Sequence, residues 1–78
     1  MNTPGQWRAS NPAELGKAIA AARRSRGLTQ QELADRMLFD RTYLARMEAG
    51  LSTEQVTRTL SVFRELGFEV VVTERKVG

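Results

Sequence analysis

The stretch LADRMLFDRTYLARMEAG, Leu33 to Gly50, carries two apolar patterns of helical period separated only by Leu-Phe-Asp. Leu33, Ala34 and Met37 share one face, and Leu44 and Met47 share another, as in amphipathic helices that bury a stripe. Three residues leave room for nothing but a tight turn, with Phe39 packed inward and Asp40 as the cap that starts the next helix. Thr29 with Glu32 three residues later forms a capping box, which opens the first helix at about 30–37. Gly50 closes the second. Two short helices joined by a three- or four-residue turn are therefore predicted at the centre of the chain.

The flanks read as follows. Asn11, Pro12 and Glu14 supply a cap, a first-position proline and a first-turn acid; Leu15, Ala18, Ile19 and Ala22 then recur at helical spacing up to Gly27, which predicts a helix at about 12–26. Its last turn holds Arg23, Arg24 and Arg26, where the helix dipole favours cations. Ser52 and Gln55 repeat the capping-box spacing, and Val56, Leu60, Phe63 and Leu66 form the stripe of a helix at about 53–66, closed by Gly67. Val62 lies beside that stripe and widens it towards a second buried face. Residues 1–10, with Pro4 and Gly5 and no periodicity, read as a flexible arm in which Trp7 is a packing anchor or, alternatively, a grip on a partner.

Phe68 to Arg75 is the only strand candidate. A lone strand cannot satisfy its own backbone, so the expected solution is a twofold dimer in which Phe68, Val70, Val71 and Val72 pair antiparallel with their copies. The alternative is a tail folded back along its own helices.

Composition narrows the function classes. At 78 residues the chain is one domain with marginal burial. It has no cysteine and no histidine, so thiolate metal sites, disulfides and histidine catalysis are disfavoured, no cofactor is expected and an enzyme is the least favoured class. No apolar run approaches the ~20 residues of a membrane helix, and MNTPGQWRAS lacks the apolar core of a signal peptide, so a cytoplasmic location is expected. Net charge is +3, carried by ten arginines against two lysines; arginine suits forked contacts to phosphates and guanine edges.

Four to five short helices with this central pair outline a helix-turn-helix DNA-binding domain. GLTQQELADRM followed by FDRTYLARMEAG resembles the helix-turn-helix family of the Cro and lambda-type repressors, the XRE family, at Gly27, Leu28, Thr29, Gln30, Glu32, Leu33, Ala34, Leu44, Arg46, Glu48 and Gly50. The resemblance covers about residues 13–67. It implies a mainly α fold with an arm at 1–10, the helix-turn-helix domain at 11–67, and a dimerisation strand with its tail at 68–78. It also implies a recognition helix whose Arg41, Thr42 and Arg46 reach base edges, with Gln30, Arg23, Arg36 and Tyr43 as phosphate contacts. Arg23 and Glu48 are expected to form a partly buried ion pair between the first and third helices. One position departs: the family usually has glycine in the turn after the second helix, where this chain has Leu38, which points to a reshaped turn.

A strand directly after the last helix looks like the HipB-like antitoxins, which implies a homodimer on a pseudo-palindromic operator and a HipA-like kinase toxin as partner. The alternatives are a stand-alone repressor, or a toxin-binding module whose DNA binding is secondary.

Overall fold

The computed structural model describes residues 5–75. The first four residues of the expected arm and the last three of the expected tail lie outside them. The element order is β1 (Gln6–Arg8), α1 (Pro12–Ser25), α2 (Gln30–Met37), α3 (Arg41–Glu48), α4 (Glu54–Glu65) and β2 (Val71–Thr73).

Local chemistry sets the helix ends. Asn11 accepts the Glu14 amide at 2.8 Å ahead of Pro12, and starts α1. Thr29 and Glu32 bond reciprocally at 2.9 and 3.1 Å, closing the capping box of α2. Two caps differ from expectation. Asp40 has the extended backbone of a cap, yet its carboxylate makes no cap bond, so only its charge favours the positive end of α3. The cap of α4 is Thr53, which accepts the Val56 amide, while the Ser52 hydroxyl donates to the Thr53 carbonyl instead. A shift of one residue removes the expected Ser52–Gln55 box.

The turn between α2 and α3 corrects another expectation. Leu38 is not avoided by reshaping; it takes the left-handed conformation itself, at φ 59 and ψ 37, the place where a glycine is unstrained. Its backbone then allows the Phe39 amide to bond back to the Ala34 carbonyl at 2.8 Å. The leucine side chain is 93% exposed and recovers none of the strain by packing. Met37, expected in the core, is also largely exposed, and Phe39 lies at the surface edge-on to Tyr43, ring centres 5.2 Å apart.

The strand is not alone in its own chain. β2 pairs antiparallel with β1 of the same chain, in the register Gln6 to Thr73, Trp7 to Val72 and Arg8 to Val71. Phe68 and Val70 lie before the strand. The segment read as an arm thus supplies the missing edge: Ala9 donates to the Val70 carbonyl at 2.9 Å and Glu74 to the Gly5 carbonyl at 2.7 Å. Trp7 stands across from Val72 and beside Ala18 and Ala21 of α1, which anchors the two-stranded sheet to the helices.

The core is built of small side chains. Ala9, Ala18, Ala20, Ala34, Leu44 and Leu60 are buried; α1 is the central element, meeting α3, α4 and β1. Among the described residues no helix is long and apolar enough to cross a membrane.

Candidate nucleic-acid interface

The position of α3 follows from two contacts with α1. The first is steric. Gly16 in the middle of α1 lies so close to the end of α3 that a Cβ there would be 2.6 Å from the Glu48 carbonyl oxygen and 2.7 Å from that of Met47. At Gly50, φ +87, an added Cβ would likewise lie 3.0 Å from the Ala13 Cα of α1. These glycines let two backbones touch. Sequence patterning did not single out Gly16, although a glycine inside a strong helical pattern is itself a sign of close approach.

The second contact is ionic. Arg23 Nε donates to Glu48 Oε2 at 2.7 Å and Nη2 to Oε1 at 3.0 Å, a forked pair, while Nη1 donates to the Leu28 carbonyl at 2.7 Å. The two side chains are only 9% and 6% exposed. Gln30 adds its amide to Glu48 Oε1 at 3.0 Å, so all three helices of the motif meet at one carboxylate. The Arg23 hydrogen bonds hold the Glu48 carboxyl below its ordinary range; burial opposes them, and Gln30 and the charges of Arg23 and Arg24 reinforce them. Hydrogen bonding to Glu48 likewise raises Arg23 above the usual guanidinium value.

This network engages two of the residues expected at phosphates. Arg23 is turned towards Glu48 and the Leu28 carbonyl. Gln30 also directs its amide donor inward. Tyr43 is exposed and, like Arg46, borders the groove between α1, α3 and the start of α4. Arg36 on α2 stays exposed.

On the open side of α3, Arg41, Thr42 and Arg46 are exposed. Paired arginines lie mainly on other elements, although Arg64 of α4 also lacks a carboxylate partner among the described residues. Arg8 pairs with Glu69, Arg26 with Glu74 and Arg58 with Glu54, all away from α2 and α3. Arg24, Arg36, Arg41 and Arg46 have no carboxylate partner among the described residues. Cations left unpaired on three consecutive helices of the motif form a field that attracts a polyanion. Among the described residues no group of three His, Cys, Asp or Glu side chains could hold a metal ion.

Two short helices joined by a tight turn, the second presenting exposed arginines, have the outline of a helix-turn-helix. The family comparison agrees: residues 19–56 match the Helix-turn-helix family model, that of the XRE-type domain found in DNA-binding transcription regulators. No curated protein and no solved structure matches the chain.

Proposed function

We propose that this protein is a sequence-specific DNA-binding transcriptional repressor that acts as a homodimer on a pseudo-palindromic operator. The observation that carries the reading is the exposed side of α3, where Arg41 and Arg46 flank Thr42 and form no ion pair among the described residues. Arg41 and Arg46 read guanine edges in the major groove, each worth about 1–3 kcal/mol of discrimination when bidentate. Arg36 and the first backbone amides of α2 hold phosphates and fix the register.

Two features support a dimer. Val62, Phe63, Leu66, Phe68 and Val71 are between 43% and 68% exposed, which leaves roughly 500 Å² of apolar surface at the α4–β2 corner. At the ~65% apolar share of a homodimer interface, that implies roughly 800 Å² per protomer, the standard size of a stable contact. The second feature is the outer edge of β2. Val70, Val72 and Glu74 face β1, so the amides and carbonyls of Val71 and Thr73 face outward. A twofold axis through Val72 lets Val71 of one copy bond Thr73 of the other, extending the sheet to four strands. The recognition helices then reach half-sites about 34 Å apart, or a multiple.

The finer reading is that of a HipB-like antitoxin that represses its own operon and restrains a HipA-like kinase toxin. It rests on the resemblance in architecture, and co-purification with the product of the adjacent reading frame tests it.

The test of the main reading is retardation of the upstream DNA. Affinity should fall by about 10³-fold between 50 and 200 mM salt if six or more phosphates are neutralised per dimer. The double variant Arg41→Ala, Arg46→Ala should lose operator preference while keeping its melting temperature. Thr73→Pro, which removes the outward amide together with a long 3.4 Å bond from the Gln6 side-chain amide, should shift the protein to monomer in sizing. Unchanged operator preference in the double variant overturns the assignment.

A further inference from the structure

Between α1, α3 and the start of α4 the helices stand apart and leave a groove of about 360 Å³, the volume of roughly twelve waters at ~30 Å³ each. Its walls are apolar: Leu15 and Ile19 of α1, Met47 of α3, and Leu51 and Val56 at the entry to α4. Its polar lining comes from Arg46, Tyr43 and the hydroxyls of Ser52 and Thr53. Thr53 is committed to its helix cap; Tyr43 and Arg46 have no side-chain hydrogen bond of their own among the described residues. Among the described residues no acidic side chain lines the groove. An apolar cleft with one uncompensated cation and a phenol at its rim fits a ligand with a hydrocarbon body and a single negative charge.

We propose that this groove binds a small apolar monocarboxylate, its carboxylate on Arg46 and its hydrocarbon part against Leu15, Ile19 and Met47. The site lies at the first turn of α4, whereas the surface assigned to the dimer lies at the last, so both can be occupied together. Its consequence rests on the repressor reading. Arg46 is assigned to the operator as well as to the groove, so ligand and DNA compete for one guanidinium, and the ligand releases the operator. By linkage, the operator must weaken ligand binding by the same factor.

The probe is 4-phenylbutyrate, with 4-phenyl-1-butanol as its uncharged counterpart, followed by amide chemical shifts of the full chain. The expected result is saturable shifts centred on Leu15, Ile19, Met47 and Val56. Binding should be about tenfold weaker for the alcohol and for Arg46→Met, which keeps the stem and loses the charge. A second arm measures operator retardation, which should weaken by about tenfold at saturating phenylbutyrate. Three results overturn the site: no saturable shift up to about 5 mM, equal binding of acid and alcohol, or shifts confined to the α4–β2 corner. These are read without DNA, so they stand apart from any failure of operator binding. If phenylbutyrate binds as described but leaves retardation of a functional operator unchanged, the competition is overturned and the site is not.

Discussion

Replacing Gly16 by alanine tests how α3 is held. The new Cβ would lie 2.6 Å from the Glu48 oxygen, 2.7 Å from the Met47 oxygen and 2.8 Å from the Gly50 nitrogen, all of them backbone atoms that cannot rotate away. Overpacking costs about 1–3 kcal/mol where side chains can yield, and here the upper end applies. Alanine recovers about 1 kcal/mol through its better helix propensity. The net loss is therefore about 2 kcal/mol, out of a total of ~4–12 kcal/mol for a chain of this length. At ~4–8 °C per kcal/mol for a small domain, the melting temperature should fall by roughly 8–16 °C. Thermal circular dichroism reads this directly. Lys17→Ala, one residue on and exposed, makes a control that should stay within about 0.5 kcal/mol. Relief of the clash requires α3 to move off α1, so operator affinity should also fall at temperatures where the variant is still fully helical. A Gly16→Ala protein that melts at or above the parent temperature refutes the close approach and, with it, the seating of α3.

The Glu48 carboxyl is held low by the Arg23 hydrogen bonds, so its stabilisation is complete above the unfolded carboxylate value of about 4.3 and is lost as pH falls through the lower folded value. Acid titration should show parent stability declining below about pH 4, and Glu48→Gln should flatten that decline; an identical acid profile for the variant removes the pair from the account. Leu38→Gly should relieve about 1–2 kcal/mol of left-handed strain against roughly 0.5–1 kcal/mol of added chain entropy. Denaturant melts should therefore show a gain of up to about 1.5 kcal/mol, with no packing lost because Leu38 is already exposed; a loss of stability would mean that the side chain is held by a contact.

Much of the recognition unit was legible in the chain because its signals are local. The Thr29–Glu32 box, the Asn11–Pro12 start and the glycine after α3 depend on hydrogen bonds that span four residues or fewer, and these fixed where three helices begin and end. The Arg23–Glu48 pair came from the resemblance rather than from spacing, since 25 residues separate its partners. The polar register of α3 followed from helical period, which places Thr42 and Arg46 opposite Leu44.

What depended on distant parts of the chain was not legible. The partner of Val71–Thr73 is Gln6–Arg8, 63 or more residues away in sequence, and nothing in an aperiodic decapeptide announces a strand until another edge is brought beside it. The rotation of Gln30 and Arg23 into Glu48 depended likewise on where three helices converge. The sequence by itself determined which segments are helical and which side of each is apolar, because propensity, capping and period act within a few residues. Only the tertiary structure decided which strand edges meet, that Gly16 is the point of backbone contact, and which arginines are left without a carboxylate, because those depend on distances that chain topology alone creates.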